Sequence, residues 1–126
     1  MAAEQATALT EATNTLAEPN ALQHQQPHQE TIYLAEVTDG NRKFLFGREI
    51  AVKVTWDGEL WIFEFEDLGI ETFHFNKQRA YLDFQEAFGV HWDYFACEED
   101  DNKLSKKAKQ LKIVFKTLVA SIRYLE

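Results

Sequence analysis

The fourteen residues from Trp56 to Gly69, WDGELWIFEFEDLG, contain the pattern that decides the fold. Asp57 and Gly58 form a dipeptide that is strongly favoured in the tight turn between two antiparallel strands. After that turn, WIFEF places a large aromatic residue at every second position, which is typical of a strand buried on one face. The stretch therefore predicts a β-hairpin.

The preceding run, residues 50–56, supplies the partner strand. If Trp56 and Glu59 flank the turn, three cross-strand apolar pairs fall on one face of the sheet. These pairs are Val54 with Trp61, Val52 with Phe63, and Ile50 with Phe65. The opposite face is mixed in character, with Ala51, Lys53, Thr55, Leu60, Ile62 and Glu64. We therefore interpret the rings as the core of a sheet rather than as a platform that stacks a ligand.

The same signals extend the sheet towards the N-terminus. TIYLAEV and RKFLFG flank the turn sequence TDGN, which predicts an earlier hairpin and a domain that begins near Thr31. Residues 1–30 contain no aromatic residue, no Val and no Ile. Such a segment buries too little apolar surface to offset its ordering entropy, so we expect a disordered or loosely helical tail.

The next strand, IETFHF, can pair with WIFEF in two registers. A five-residue loop would place Phe73 opposite Phe63 and Phe75 opposite Trp61, and would extend the core. A four-residue loop would place Thr72 and His74 there instead and expose both phenylalanine rings. We expect the first register, and note that the second would create an apolar outer surface suited to a partner.

Two helices follow the sheet. Asn76 is a suitable N-cap for a helix over residues 77–97, and Ser105 for a second helix over residues 105–124. The first helix repeats aromatic residues at steps of three and four, at Tyr81, Phe84, Phe88, Trp92 and Phe95. The second has the spacing of a coiled-coil seam, at Ala108, Leu111, Phe115, Leu118, Ile122 and Leu125. This seam covers either the sheet or a second copy of itself.

These elements predict one α+β domain over residues 31–126. It has two layers, an antiparallel meander of three or four strands over residues 31–75 packed against two C-terminal helices. A chain of 126 residues is long enough for one such core. No apolar run is long enough to span a bilayer, no secretory signal is visible and the single Cys97 cannot form an internal disulfide, so we expect a cytoplasmic protein.

Charge is unevenly distributed along the chain, whose net charge is −8. Residues 1–102 contain 6 basic and 20 acidic residues, or −14, whereas residues 103–126 contain 7 basic and 1 acidic, or +6. An acidic body argues against a protein that coats nucleic acid. The basic side chains of the second helix, Lys109, Lys112, Lys116 and Arg123, are the weak candidates for nucleic-acid contact. We favour their role as an internal counterweight to the acidic run EEDD.

No constellation in the sequence predicts catalysis, a metal or a cofactor. The carboxylates of Glu64, Glu66 and Asp67, and those of Glu98–Asp101, form charge runs that are usually solvated. The candidate metal ligands lack the tight pairs of structural zinc sites: His24, His28, His74, His91, Asp93 and Cys97. The five glycines do not form a phosphate-binding loop. We therefore expect a protein that is not an enzyme.

The region from Ile50 to Phe95 resembles the HicB-like antitoxins. The resemblance lies in the hairpin motif DG-x-x-W, in an acidic turn that ends in Leu-Gly, and in a helix directly after the last strand. The matching residues are Asp57, Gly58, Trp61, Glu66, Asp67, Leu68 and Gly69, with Ala80 at the helix start. The resemblance implies a non-enzymatic inhibitor that covers a small basic RNase toxin. The acidic net charge suits such a partner.

We therefore predict a protein-binding module. The predicted partner-binding residues are those of the outer face and acidic turn: Leu60, Ile62, Glu64, Glu66 and Asp67. The alternative is a homo-oligomeric accessory protein, a homodimer or larger, that uses the second helix as its interface. The self-association residues of that alternative are Leu111, Phe115, Leu118 and Ile122.

Overall fold

The computed structural model describes residues 26–125. Its strands are β1 (His28–Asp39), β2 (Arg42–Trp56), β3 (Trp61–Phe65), β4 (Ile70–His74) and β5 (Val119–Tyr124). Its α-helices are α1 (Lys77–His91) and α2 (Lys106–Leu118). A π-turn, Trp92–Ala96, continues α1, and short 3-10 turns lie at Glu66–Leu68 and Asp101–Lys103.

The described residues divide into two units, residues 26–28 with Trp56–Glu59, and Gln29–Thr55 with residues 60–125. The first unit contains the Asp57-Gly58 turn. A hydrogen bond within the turn stabilises it, because the carboxylate of Asp57 accepts the N–H of Glu59 at 2.8 Å. Gly58 has a φ of 101°, a conformation open to glycine and strained for other residues. The Asp-Gly signal therefore marks a real turn, in a four-residue connection between β2 and β3.

The five strands form one sheet in the order β1-β2-β3-β4, with β5 paired to β2. β3 and β4 are antiparallel, as are β2 and β5. Only Gly40 and Asn41 separate β1 from β2, which is the connection of an antiparallel hairpin. The predicted α+β class, with an antiparallel meander and two C-terminal helices, is confirmed, and β5 is an additional strand.

The core lies between the inner face of the sheet and the helices. On β2, Ile50, Val52 and Val54 are buried, and on β3, Phe63 and Phe65 are buried, as the hairpin pattern predicts. The centre of this core is a set of edge-to-face aromatic contacts: Phe44 with Phe88 at 5.2 Å, Phe46 with Phe88 at 5.4 Å, and Phe88 with Phe115 at 5.3 Å between ring centroids. Edge-to-face pairs add about 1 kcal/mol each to the burial energy.

Both predicted N-caps are present. The side chain of Asn76 accepts the N–H of Arg79 at 2.9 Å at the start of α1, and the hydroxyl of Ser105 accepts the N–H of Ala108 at 3.1 Å at the start of α2. Each bond satisfies a backbone donor that the first helical turn leaves open. The starts of the two helices are therefore determined by N-cap residues that can be recognised in the sequence.

The predicted end of the second helix is wrong. The helix expected over residues 105–124 ends at Leu118, and β5 then pairs with the start of β2. Val119 and Ile122 are three residues apart, a spacing that resembles a helix. Both face the core because the register shifts between Leu45 and Phe46, which places Val119 opposite Phe46 and Ile122 opposite Phe44. A β-bulge thus gives strand residues a helix-like spacing.

The predicted start of the domain also differs. β1 begins at His28, whereas the sheet was expected from residue 31, after a tail of residues 1–30. An ion pair of 3.2 Å between Glu30 and Lys77, at the start of α1, holds the early part of this strand. The rest of the predicted tail, residues 1–25, lies outside the described residues.

Candidate functional site

The pairing of β3 with β4 places two phenylalanine rings at the surface. The cross-strand partners are Trp61 with His74, Ile62 with Phe73, Phe63 with Thr72, Glu64 with Glu71, and Phe65 with Ile70. Phe73 is 61% exposed and Phe75 is 74% exposed. The register that we expected, with both rings in the core, is wrong, and the alternative register is the one present.

A four-residue connection sets this register. The 3-10 turn Glu66–Leu68 is followed by Gly69, which has a left-handed φ of 66° and donates its N–H to the carbonyl of Glu66 at 3.0 Å. β4 therefore starts at Ile70, which faces the core together with Leu68. A shift of one residue moves every later side chain of the strand to the other face.

At position 72, the inner face of β4 has space only for a small residue. The hydroxyl of Thr72 donates to the carbonyl of Ala80 at 2.9 Å, and Ala80 is fully buried. Because α1 approaches the strand this closely, a phenylalanine ring opposite Phe63 would overlap the helix backbone. Helix packing therefore determines that Thr72 lies inside and Phe73 outside.

Two carboxylates lie on the same face of the sheet as the exposed ring of Phe73. Glu64 and Glu71 lie directly opposite each other on the face that carries Ile62 and Phe73, a like-charge arrangement that weakens a strand pair. Lys53 is 3.6 Å from a carboxylate oxygen of Glu64 and 3.7 Å from one of Glu66. Within residues 26–125, Glu71 forms no ion pair. Lys53 therefore forms ion pairs with Glu64 and Glu66 and not with Glu71.

We call this region the acidic–aromatic surface, and define it as Ile62, Glu64, Glu66, Glu71, Phe73 and Phe75. An open groove of about 470 Å³ adjoins it and is lined in part by Lys53, Glu64, Glu66 and Asp67. Of the predicted partner-binding residues, Ile62, Glu64 and Glu66 lie on this surface. Asp67 is exposed in the adjacent 3-10 turn, and Leu60 is half-buried just before β3.

Glu71, Phe73 and Phe75 were missing from the sequence-based set of binding residues. Aromatic residues alternating along a strand normally indicate a core, so the pattern concealed their exposure. The signal that could have found them was Gly69, whose left-handed conformation ends the turn and starts β4 at Ile70. The like-charge pair of Glu64 and Glu71 disfavours the register that is present, so it gave no help.

The predicted self-association seam is largely internal. Phe115 is fully buried and contacts the rings of Phe88 and Trp92, at 5.3 and 6.0 Å between centroids. Leu111, Leu118 and Ile122 are half-buried and pack against the same core. The assignment of Phe115 to an interface between two chains is wrong, because the seam of α2 already covers the sheet of its own chain.

The four basic residues predicted on the second helix lie on two different elements, α2 and β5. The ammonium group of Lys112 donates to the carbonyl of Glu98 at 2.6 Å and to the carboxylate of Asp101 at 2.9 Å, and this hydrogen bond lowers the pKa of Asp101. Lys109 and Lys116 are exposed on α2, whereas Arg123 lies on β5. The four residues therefore do not form one helical stripe, and Lys112 neutralises the acidic run as expected.

The candidate metal ligands do not converge within residues 26–125, where no group of three or more His, Cys, Asp and Glu side chains is suited to a metal. Arg42 binds the two carboxylate oxygens of Asp93 at 2.7 and 3.0 Å, and this bond raises the pKa of Arg42. The ring of His91 bonds to the carbonyl of Ala87 at 2.7 Å. His74 accepts the N–H of Asn76 at 2.9 Å. His24 lies outside the described residues.

No protein-family model, no curated protein and no solved structure matches the chain. The resemblance to the HicB-like antitoxins therefore remains a hypothesis that depends on the residues quoted for it. Among residues 26–125, every helix is too short or too polar to cross a membrane. The acidic–aromatic surface is the feature on which a functional interpretation can be built.

Proposed function

We propose that this chain is a non-enzymatic protein-binding module, an antitoxin-like inhibitor that covers a small basic RNase toxin in the cytoplasm. The observation that carries the proposal is the exposure of Phe73 on the face of the sheet that carries Glu64 and Glu71, with Phe75 also exposed just after β4. An exposed aromatic ring beside carboxylates that outnumber the nearby lysine provides both apolar area and negative charge for contact with a basic partner. The resemblance to the HicB-like antitoxins supports the nature of the partner.

The energetics of the surface suit a tight complex. A phenylalanine exposes roughly 200 Å² when free, so burying the exposed 61% of Phe73 would remove about 120 Å² from water. At about 25 cal/mol per Å², that burial would contribute about 3 kcal/mol. The three carboxylates would add attraction and faster association with a cationic partner.

The carboxylates also explain selectivity. Glu64 and Glu71 repel each other in the free chain, and a Lys or Arg side chain of a partner placed between them would relieve that repulsion. An acidic or neutral partner would leave the two charges uncompensated, with less water around them. The surface therefore favours a basic partner.

The alternative function, a homo-oligomeric accessory protein, has less support. Its interface was expected on the seam of α2, where Phe115 is now buried inside the chain. An association of two copies through the acidic–aromatic surface would bring like charges together. Mass measurement at several concentrations separates the two functions, because an accessory oligomer dissociates on dilution whereas an inhibitor without its partner stays monomeric.

The test is capture of the partner followed by an RNase assay. The tagged full chain is used to capture proteins from its own host's lysate at moderate and at high salt. We expect near-stoichiometric recovery of a small basic protein, which cleaves RNA when separated from the chain and stops when the chain is added back. Recovery of the bait alone, or of a protein without RNase activity, would refute the inhibitor function.

Two sets of variants locate the contact. Reversal of Glu64, Glu66 and Asp67 to lysine should abolish capture without unfolding the chain, whereas Glu86→Lys, a charge reversal at an exposed position of α1, should leave capture unchanged. Phe73→Ser should weaken capture by roughly a hundredfold if the full 3 kcal/mol is realised. Unchanged capture by both sets would place the contact elsewhere on the chain.

A further inference from the structure

The last strand of the meander has an unpaired side. In the sheet order β1-β2-β3-β4, β4 (Ile70–His74) pairs with β3, and no other described strand pairs with it. In an antiparallel pair, every second residue directs its N–H and C=O away from the partner strand. The outer side of β4 therefore presents a row of backbone donors and acceptors to solvent.

Natural proteins usually protect such an edge with lysine, proline or a covering element. Another outer strand, β1, carries charged side chains, with Glu30 3.2 Å from Lys77 and Glu36 3.3 Å from Lys43. β4, with the sequence IETFH, contains no lysine and no proline. Its one carboxylate, Glu71, forms no ion pair among residues 26–125 and lies opposite Glu64.

We propose that β4 receives an additional strand from the protein partner, and that this strand alternates Lys or Arg with apolar residues. The inference rests on the proposed function and specifies how the partner binds. Strand addition derives affinity from the main-chain hydrogen bonds and specificity from alternate side chains. On the outer face, the cationic residues of this strand lie next to Glu71 and the ring of Phe73, and its apolar residues face the opposite side, next to Thr72.

The negative charge at the edge of β4 favours a strand from a basic partner over a segment of this chain or of a second copy. Residues 1–25 contain Glu4, Glu11 and Glu18 and no Lys or Arg, so that segment would add repulsion to the edge. A second copy would bring its own Glu64 and Glu71 to the same edge, in a chain with a net charge of −8. A basic strand is the occupant that converts the repulsion between the carboxylates into attraction.

The experiment measures amide hydrogen exchange of the full chain by NMR, with and without a short synthetic peptide in which Lys and Val alternate. We expect the outward-facing amides of β4 to exchange more than about tenfold slower with the peptide, because they become hydrogen-bonded. A control peptide of the same sequence has N-methyl groups on alternate residues and cannot pair along its backbone. A second control replaces each Lys with Glu.

Variants at Glu71 test the role of its charge. This side chain is exposed, so Glu71→Gln and Glu71→Lys should keep the NMR spectrum of a folded chain. We expect weaker peptide binding by up to roughly fivefold for the glutamine variant and a larger loss for the lysine variant. Equal affinity in all three chains would overturn the assignment of the cationic position.

The outcomes separate this inference from the proposed function. Slower exchange in β4 with the Lys–Val peptide, and not with either control peptide, supports strand addition. Unchanged exchange in β4, or equal slowing by the N-methylated peptide, overturns it. If the chain captures and inhibits a basic RNase while the outward amides of β4 still exchange rapidly in that complex, strand addition is refuted and the inhibitor function stands. Pairing with the peptide in a chain that inhibits no RNase supports strand addition and refutes the inhibitor function.

Discussion

Replacing Gly89 with alanine should lower the free energy of unfolding, although the same change at an open helix position would raise it. Gly89 is buried in α1 and faces Asp39 at the end of β1. A β-carbon at position 89 would overlap the carboxylate of Asp39 and would lie 2.8 Å from its β-carbon. The glycine therefore allows the helix and the strand to approach each other closely.

The magnitude follows from three contributions. Alanine stabilises a helix interior by about 1 kcal/mol relative to glycine. Forcing a methyl group into an occupied space costs about 2 kcal/mol. Displacing the carboxylate of Asp39 also loses its 3.3 Å bond to Arg42, worth about 1 kcal/mol in this partly buried position. The net loss is about 2 kcal/mol, which lowers the melting temperature by roughly 10 °C in a domain of this size.

Urea and thermal denaturation of the full chain, followed by circular dichroism, measure this loss. Gly47→Ala is the matched control, because a β-carbon at that exposed position has no neighbour within 4 Å, and its effect should stay within about 0.5 kcal/mol. In an Asp39→Gly background the obstruction is gone, so Gly89→Ala should stabilise the chain by up to about 1 kcal/mol. An equal loss in both backgrounds would refute the steric argument.

The remaining predictions concern the core, the acid range and the acidic–aromatic surface. Phe115→Ala should lower the unfolding free energy by about 3 to 5 kcal/mol in urea titrations. Ile113→Ser, at a 66% exposed position of the same helix, should change it by less than about 0.5 kcal/mol. Similar effects of the two variants would contradict the burial of Phe115. The hydrogen bond from Lys112 lowers the pKa of Asp101 in the folded chain. The ion pair therefore stabilises the fold fully above a pH of about 4, which is the pKa of Asp in the unfolded chain. This stabilisation is lost as the pH falls through the lower pKa of the folded chain. Asp101→Asn should therefore flatten the decline of stability with acid, and an unchanged slope would show that the ion pair has no effect. Glu71→Lys should raise the unfolding free energy by about 0.2 to 1 kcal/mol, because it places an opposite charge across from Glu64. The same variant should weaken partner capture. A destabilised variant would contradict the like-charge pairing.

The predicted gain in stability for Glu71→Lys would be informative about function. Natural proteins depart from locally favourable arrangements most often at functional sites. Glu71 and Glu64 form such an unfavourable pair, and Phe73 is exposed on the same face. Stability measurements can therefore support the binding surface before any partner is purified.

The sequence by itself determined the elements that depend on neighbouring residues. The Asp-Gly turn, the N-caps at Asn76 and Ser105, and the alternating core residues of β2 and β3 all follow from local hydrogen bonding and side-chain period. The aromatic stripe of α1 likewise predicted which face covers the sheet. These features led to the α+β class without any knowledge of how the elements pack.

Only the tertiary structure decided which face of β4 is buried and which conformation the segment after Leu118 adopts. Both faces of β4 offer a plausible alternation, and the close approach of α1 at Ala80 selects Thr72 for the inside and Phe73 for the outside. The segment after Leu118 fits a helix or a strand by its spacing, and pairing with the start of β2, with Ala120 as the extra residue of the bulge, makes it β5. In each case the local pattern permits two conformations of similar energy, and contacts between residues distant in the chain choose between them.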